Sequence, residues 1–265
     1  MMWDKIADRM VESLMATLVC PDISSADKLE SAFHIVAAYN AARLKPLLAE
    51  RLGRTVQQGP FAGMQLLGRV SDGCYIPKLL GSYEAELHPV IEDITASTYD
   101  TVINVGCAEG YYAVGFARRL PVEVFAFDTN AAAQQMCREL AQLNGVEERV
   151  TVGAAFHATD FSNYADRQVL VVCDTEGAET ALLDPSMAQP LQQMDMLVEI
   201  HRLAGRWTSE VIFPRFKESH SIVEIRQQAR NAANYSGLDG LSDADRFFAL
   251  LERLEETRWS VFHAR

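Results

Sequence analysis

The sequence predicts an α/β protein with a doubly wound, mostly parallel sheet of seven strands and an N-terminal helical extension. From Tyr99 onward, short apolar runs alternate with helical stretches, and a glycine-rich turn follows the first of these runs. Strands that alternate with helices form a parallel sheet that helices cover on both faces. Residues 2–52 instead carry apolar side chains at helical spacing, which predicts helices before the sheet begins.

The N-terminal helices are predicted as two amphipathic segments on either side of residues 21–25, where Pro21 interrupts the pattern. Their apolar positions are Trp3, Ile6, Met10, Leu14 and Leu18 in the first helix and Leu29, Phe33, Val36, Leu44 and Leu47 in the second. An apolar stripe of this kind packs against the protein's own core or forms the surface of a homodimer. Both interpretations fit the sequence.

The chain divides into three predicted segments. An N-terminal helical region covers residues 1–57, and a sheet domain covers residues 98–265. Between them, residues 58–97 form a connector with several turn residues and a predicted helix at about 84–95. Its segment Ile76–Glu84 either closes over an acceptor site as a lid or serves as a connector with a proline turn.

Seven strands are predicted from apolar runs. The first five cover residues 101–105, 122–127, 149–153, 168–173 and 195–200, and two more cover 220–225 and 259–263. A helix at about 242–256 is predicted between the last two, with Ser242 as its N-cap.

Charge and composition limit the class of partner. The net charge of −12 repels phosphate backbones, and no basic run offsets it, so we expect no nucleic-acid partner. We expect no membrane partner either, because the N-terminus lacks the pattern of a signal peptide and no apolar run reaches spanning length. The five cysteines are an odd number, and two of them lie in apolar runs, which favours a reducing compartment. We therefore expect a cytoplasmic protein.

The turn Gly106–Gly110 marks the predicted ligand site. In an open parallel sheet, ligands bind beyond the carboxyl ends of the strands, where the first strand-to-helix turn passes closest to them. The Gly-x-x-x-Gly spacing differs from the Gly-x-Gly-x-x-Gly order of dinucleotide-binding enzymes, which disfavours a nicotinamide-dependent oxidoreductase. Asp128 ends the second strand and either binds both hydroxyls of a ribose or caps the next helix with Thr129 and Asn130.

Three stretches together resemble the FkbM-like branch of S-adenosylmethionine-dependent methyltransferases. They are Ile103–Ala113, the strand ending in Asp128, and Val171–Glu179 with its Asp-x-Glu-Gly-x-Glu sequence, and Leu197–His201 reinforces them. The resemblance covers about residues 99–202 and implies a Rossmann-like methyltransferase sheet, S-adenosylmethionine as cofactor, and O-methylation of a small molecule. Members usually have an acidic residue where this chain has Asn104, so an amide or a different residue replaces one contact to the methionine part. The acceptor is expected to be recognised by segments outside the resemblance.

The cofactor contacts implied in this way surround the glycine turn and the neighbouring strand ends. We expect Gly106, Glu109 and Gly110 around the methionine part, Asp128 on the ribose and the loop Phe156–Asp160 near the adenine. The full predicted set is Asn104, Gly106, Cys107, Ala108, Glu109, Gly110, Tyr111, Asp128, Asp160 and Asp174. Tyr111 or Tyr112 packs either on the cofactor or in the core.

Methyl transfer to a hydroxyl requires a base, and His201, Asp174 and Glu199 are the predicted catalytic residues. They lie at the ends of the fourth and fifth strands, which neighbour the glycine turn. His201 is the base in one interpretation, with Glu199 or Asp174 orienting its ring. In a less favoured one, Asp174, Glu199 and His201 bind a divalent metal ion.

A third interpretation of these residues is structural. Asp174 and Glu176 would cap the following helix, Glu176 and Glu179 would occupy its first turn, and His201 would form a surface hydrogen bond. His220, before the sixth strand, is a weaker candidate for either functional role.

The sequence therefore predicts an O-methyltransferase for a small hydroxylated metabolite. Transfer to nitrogen or carbon is an alternative, because an amine acceptor needs less help from a base. A non-catalytic nucleotide-binding module with the same fold is an alternative from a different class.

Overall fold

A seven-stranded sheet runs through the computed structural model, which describes residues 2–71 and 73–265 of the chain. Residue 1 of the predicted helical region and residue 72 of the predicted connector lie outside the described residues. The strands are β1 (Thr101–Val105), β2 (Glu123–Phe127), β3 (Val150–Gly153), β4 (Val169–Cys173), β5 (Asp195–Ile200), β8 (His220–Arg226) and β9 (Arg258–Ala264). A separate two-stranded hairpin pairs β6 (Arg202–Leu203) with β7 (Arg206–Trp207).

The strand order is β3-β2-β1-β4-β5-β9-β8, and β1 to β5 pair in parallel. β9 runs antiparallel to both β5 and β8. The prediction of a doubly wound, mostly parallel seven-stranded sheet is thus confirmed, with strand bounds that agree to within one residue. The winding reverses between β1 and β4, which places a crevice at their carboxyl ends.

Helices flank the sheet, and two further helices precede it at the N-terminus. They are α1 (Met2–Val19), α2 (Ser25–Leu52), α3 (Tyr75–Leu80), α4 (His88–Ala96), α5 (Tyr111–Arg119), α6 (Ala131–Leu143), α7 (Glu179–Leu182), α8 (Ser209–Phe216) and α9 (Asp243–Leu250). Among the residues that the structure describes, no helix combines the length and apolar character that a membrane-spanning segment needs.

Apolar side chains of the strands point alternately into two cores, one on each face of the sheet. Val102 and Val172 belong to the core that also contains α5 and α6, whereas Ile103 and Val171 belong to the core that contains α8. This alternation follows from the two-residue period of a strand. Because β4 is buried along its whole length, it reads in the sequence as a continuous apolar run.

The two predicted N-terminal helices are present, and Ser24 caps the second of them by accepting from the Asp27 amide. Leu44 and Leu48 of α2 are fully buried, so the C-terminal half of this helix packs against the core. In α1, by contrast, Val11 and Met15 are more than half exposed. A homodimer through these helices stays a prediction.

Two predicted helices end differently in the structure. The helix expected at about 84–95 starts as a 3-10 turn over Ala85–Leu87 and continues as α4. The helix expected at about 242–256 starts at its Ser242 cap but ends at Leu250. Beyond Leu250 the chain is irregular, and Glu252 forms a buried ion pair with Arg230. The apolar pattern of the sequence does not indicate this ion pair.

The connector contributes a buried wall to the molecule. All six residues of α3 are buried, and Gly81 adopts φ +72° where an added Cβ would lie 2.1 Å from the carbonyl oxygen of Gln58. Lys78 of this segment forms an ion pair with Glu109, so Ile76–Glu84 packs against the glycine turn.

Candidate active site

The glycine turn passes so close to its neighbours that side chains are excluded. Gly106 has φ +76°, and a Cβ there would lie 1.5 Å from the carbonyl oxygen of Asp174 at the end of β4. Gly110 has φ +93°, and its Cβ would lie 2.6 Å from Sγ of Cys137 in α6. Only glycine satisfies both demands at these positions. Ala108 between them also adopts a left-handed conformation, with φ +49°.

Two cavities open on either side of this turn. The strand-end cavity, of about 500 Å³, lies beyond β2 and β4 and is lined by Phe127, Asp128, Phe156, His157, Thr175 and Leu182 among others. The loop cavity, of about 250 Å³, is lined by Lys78, Tyr83, Asn104, Cys107, Ala108, Tyr111, Tyr112 and Arg253 among others. Gly106, Asp128, Asp174 and Glu176 line both cavities. The two spaces therefore share a wall at the predicted ligand site.

Asp128 ties the turn to the end of β2. Its Oδ2 accepts from the amide of Ala108 at 2.9 Å, and its Oδ1 accepts from the amide of Asn130 at 2.8 Å. The cap of α6 is Asn130, whose side chain accepts from the Ala132 amide. Asp128 thus supports the turn and lines both cavities.

Of the other predicted cofactor residues, Asn104, Cys107, Ala108 and Tyr111 line the loop cavity. The amide of Asn104 donates to the Val172 carbonyl at 3.3 Å, while its Oδ1 is buried with no hydrogen-bond partner among the described residues. A buried acceptor without a partner is costly, so this oxygen is suited to a ligand donor.

Three predicted cofactor residues do not line these cavities. Glu109 is buried behind the turn, where it forms an ion pair with Lys78 and accepts from the Ser71 amide at 3.1 Å. Gly110 faces α6. Asp160 accepts from the His157 amide at 2.8 Å and caps the 3-10 turn Ala158–Tyr164. These residues hold the cavity walls in position.

The outer cavity, of about 880 Å³, opens between α2, the segment 251–257 and the end of β5. Its lining includes His34, Glu199, His201, Trp207 and Phe248. It shares Glu176 with both other cavities and Arg253 with the loop cavity. All three spaces therefore adjoin one another near Glu176.

His201 lies at this junction among four carboxyl groups. Its Nδ1 is 2.9 Å from Oε1 of Glu179, and its Nε2 is 3.4 Å from Oε2 of Glu176, 3.6 Å from Oδ1 of Asp174 and 3.9 Å from Oε2 of Glu199. Burial alone would lower the pKa of His201, but the nearby carboxylates, Glu179 above all, raise it above its ordinary value. The predicted catalytic residues are thus brought together.

Glu179 is the partner of the His201 ring that sequence reasoning missed. It is fully buried, and its Oε1 accepts from the amide and hydroxyl of Thr175, both at 3.0 Å, and from the Gly177 amide at 3.2 Å. Although burial opposes ionisation, these hydrogen bonds and His201 lower the pKa of Glu179. The signal available in the sequence was its place as the last residue of the Asp-x-Glu-Gly-x-Glu stretch.

Asp174 and Glu176 do not cap a helix, so this part of the structural interpretation is wrong. The short helix α7 begins at Glu179, and its N-cap position, Ala178, receives no side-chain cap. Glu176 has φ +52° and Gly177 φ +106°, so the backbone curls around the Glu179 carboxylate instead. His220 is remote, at the start of β8, where its Nε2 lies 2.9 Å from the Met194 carbonyl.

Burial raises the pKa of two carboxyl groups beside His201, Glu199 and Asp174. Burial and the charges of Asp174 and Glu84 raise the pKa of Glu199 to about 10, and burial also raises the pKa of Asp174. Glu199 Oε2 and Asp174 Oδ1 are both buried without a hydrogen-bond partner among the described residues. At neutral pH, the Glu199 carboxyl group is therefore protonated.

The raised pKa of Glu199 predicts how stability depends on pH. The folded protein keeps the Glu199 proton up to about pH 10, whereas the unfolded chain releases it near about pH 4, so stability falls as pH rises through this window. Glu199→Gln removes the titration while keeping a donor. We expect urea unfolding at pH 6, 7.5 and 9 to show a flatter fall for this variant than for the wild type. The exposed Glu218→Gln removes one charge and is expected to follow the wild type.

A divalent metal ion has a candidate set of ligands at the same place. Asp174, Glu179 and His201 hold one ligand atom each within 4.8 Å of one another, with Glu179 in place of the predicted Glu199. Two carboxylates and one imidazole suit such an ion. Because Oε1 of Glu179 already accepts three hydrogen bonds, its Oε2 is the oxygen available to a metal ion. Metal binding stays a prediction.

Comparisons with known proteins leave the family open. No protein-family profile matches the chain, and no curated protein matches it, so the FkbM-like resemblance stays a prediction. The chain is similar to a solved precorrin 8W decarboxylase of Methanobacterium thermoautotrophicum, at 16% identity over 68% of this chain and 90% of that chain, with a TM-score of 0.47.

Two methylating proteins are also among the similar structures. A ribosomal protein L11 methylase from Lactobacillus delbrueckii subsp. bulgaricus is 15% identical over 68% of this chain and 78% of its own, with a TM-score of 0.43. An O-methyltransferase of tomaymycin synthesis from Streptomyces achromogenes, in complex with SAM, is 14% identical over 69% and 81%, with a TM-score of 0.41. Likeness at this level does not assign an activity, so function is argued from the site.

Proposed function

We propose that the chain is an S-adenosylmethionine-dependent methyltransferase that methylates a hydroxyl group of a small molecule. The observation that carries this proposal is the meeting of three cavities near Glu176, with Asp128 in the walls of two and His201 in the wall of the third. A donor beside Gly106 and an acceptor beside His201 would then face each other. A transfer between two bound molecules requires this arrangement.

The two inner cavities suit the two halves of the donor. In the strand-end cavity, the ring centroids of Phe127 and Phe156 lie 4.7 Å apart, and the two rings form an aromatic wall suited to an adenine. The Asp128 carboxylate in the same cavity is suited to accept hydrogen bonds from ribose hydroxyls. The loop cavity suits the amino-acid half, because the unpartnered Oδ1 of Asn104 can accept from an ammonium group. The absence of a side chain at Gly106 lets both halves pass the turn.

The outer cavity supplies the proton acceptor. S-adenosylmethionine, when bound, provides a methyl group on a sulfonium, so the protein must align the acceptor and remove its proton. Nε2 of His201 accepts the hydroxyl proton, and Glu179 beside Nδ1 stabilises the resulting imidazolium. Asp174 and Glu176 add negative charge next to the same ring nitrogen.

Calorimetric titration with S-adenosylhomocysteine and with NADH tests the cofactor. We expect micromolar binding of S-adenosylhomocysteine, no binding of NADH, and affinity reduced roughly 10- to 100-fold in Asp128→Ala, because charged hydrogen bonds to the ribose are lost. Asp166→Ala is the matched control, since that carboxylate is exposed and lies outside the lining of all three cavities. Binding of NADH alone would reject a methyltransferase.

Turnover separates the remaining alternatives. Mass spectrometry of the product from a screen of small acceptors distinguishes a methylated hydroxyl from methylated nitrogen or carbon. Tight binding of S-adenosylhomocysteine without turnover of any acceptor favours a non-catalytic nucleotide-binding module.

A further inference from the structure

Two arginines near the site, the buried Arg230 and the partly exposed Arg253, differ in how their donors are used. Arg230 is satisfied: its Nη1 lies 2.6 Å from Oε2 of Glu86, its Nη2 lies 3.1 Å from Oε2 of Glu252, and its Nε donates to the Ser82 carbonyl at 3.0 Å. This guanidinium links the connector, through Ser82 and Glu86, to Glu252 in the C-terminal part of the chain. Its side chain is only 8% exposed.

Arg253 is not satisfied in this way. Its single hydrogen bond within the described part of the chain is a long one, from Nη2 to the hydroxyl of Tyr83 at 3.4 Å, and its Nε is buried without an acceptor. The nearest carboxylate oxygens are 3.7 Å away on Glu84 and 3.9 Å away on Glu199, too far for hydrogen bonds. A guanidinium has five N–H donors, and those on Nη1 of Arg253 make no hydrogen bond within the described part of the chain, so they are available to a ligand.

The position of Arg253 makes these donors accessible. Its side chain is 25% exposed and lines both the loop cavity and the outer cavity. It therefore lies at the boundary between the spaces proposed for the amino-acid half of the donor and for the acceptor. An oxyanion held there would contact both cavities.

The carboxyl groups beside Arg253 leave its guanidinium without a close ion pair. Their nearest oxygens are 3.7 Å away on Glu84 and 3.9 Å away on Glu199, and burial raises the pKa of Glu84 to about 8, so Glu84 favours its neutral form. A planar guanidinium with a positive charge and parallel free donors matches a carboxylate, which accepts two hydrogen bonds side by side.

We propose that Arg253 binds a ligand carboxylate at the boundary between the loop cavity and the outer cavity. Two sources share this chemistry: the amino-acid end of the methyl donor, which rests on the proposed function, and a carboxylate on the acceptor, which would make Arg253 a specificity-determining residue. The two sources are distinguished by ligands that differ only in the carboxylate-bearing part.

The test compares the wild type, Arg253→Gln and a charge-matched control, Arg226→Gln, which removes an exposed arginine of β8 outside the three cavities. Calorimetry measures S-adenosylhomocysteine, which carries the amino-acid end, and 5′-methylthioadenosine, which lacks it. If the donor is the source, Arg253→Gln weakens the first ligand roughly 10- to 100-fold and leaves the second unchanged. If the acceptor is the source, neither affinity changes.

Malonate, a small dicarboxylate, provides a probe that needs no adenosyl group. At constant ionic strength it is expected to raise the Tm of the wild type and of Arg226→Gln but not that of Arg253→Gln, whichever source is correct. If neither adenosyl ligand binds the wild type, the proposed function is rejected, but the malonate effect on Tm still tests the carboxylate site at Arg253. The proposal is overturned if Arg253→Gln alters neither the malonate effect nor S-adenosylhomocysteine affinity. Should Arg253→Gln fail to fold, Arg253→Lys, which keeps the charge but not the paired donors, replaces it.

Discussion

Replacing His201 by glutamine is expected to lower kcat by roughly 100- to 10,000-fold, which is the usual contribution of a positioned base. His201 lies in the lining of the outer cavity, with Glu179 at 2.9 Å from one ring nitrogen and two carboxylates facing the other. Glutamine keeps hydrogen-bonding groups at the position but accepts no proton near neutral pH. The measurement is methyl transfer from labelled S-adenosylmethionine to the best acceptor of a screen.

The pH profile separates a base from a residue that only shapes the cavity. Because the carboxylates raise the pKa of His201, the neutral ring that accepts a proton becomes abundant only as pH rises through that raised value, and kcat/KM should rise with it. Glu179→Gln removes the largest charge partner and should move this rise to lower pH. NMR titration of the His201 ring reports the same shift without any acceptor.

Affinity for S-adenosylhomocysteine should be unchanged in His201→Gln, since His201 lines only the outer cavity of the three. A variant with nearly wild-type kcat would contradict the assignment of the base. The proton would then pass to another group, of which Glu176, with Oε2 3.4 Å from Nε2 of His201, is the nearest candidate that also lines the two inner cavities.

The centre of the sheet was predictable because β1, β4 and β5 are buried on both faces. Such a strand reads as an apolar run bounded by turn residues, as in Val169–Cys173, and burial rather than local propensity sets the run. The same logic brought Asp174 and His201 together in advance, since they follow adjacent strands. Helix ends were less predictable: α9 stops at Leu250 because Glu252 pairs with Arg230, a partner that no local pattern reveals.

Residues that reach the site through long-range contacts escaped prediction for the same reason. Glu109 belongs to the glycine turn in sequence, yet its carboxylate points away from the cavities and pairs with Lys78. Lys78 lies in the connector, 31 residues earlier in the chain. Arg253 comes from a segment predicted as helix, and its unpaired donors become apparent only once its neighbours are located. Sequence periodicity reports which residues are buried, but not which charges meet.

Replacing Gly106 by alanine is expected to abolish high-affinity cofactor binding and to destabilise the fold. The position has φ +76°, which costs an L-residue about 1–2 kcal/mol. In addition, the new Cβ would lie 1.5 Å from the carbonyl oxygen of Asp174, so β1 and β4 must separate at their carboxyl ends. Overpacking of this kind costs about a further 1–3 kcal/mol, and we expect a lowered midpoint of urea unfolding.

Gly145→Ala is the matched control for this substitution. Gly145 follows α6 with φ +65°, but an added Cβ there meets nothing within 4 Å. Both variants therefore pay for a left-handed alanine, and only Gly106→Ala displaces the strand end that carries Asp174. We expect calorimetry to show roughly 100-fold weaker S-adenosylhomocysteine binding in Gly106→Ala, or about 2.8 kcal/mol, because the displaced strand end lines both inner cavities, and wild-type affinity in Gly145→Ala. Equal affinities in the two variants would mean that the ligand does not depend on the close contact between the glycine turn and β4, and would move the donor site away from Gly106.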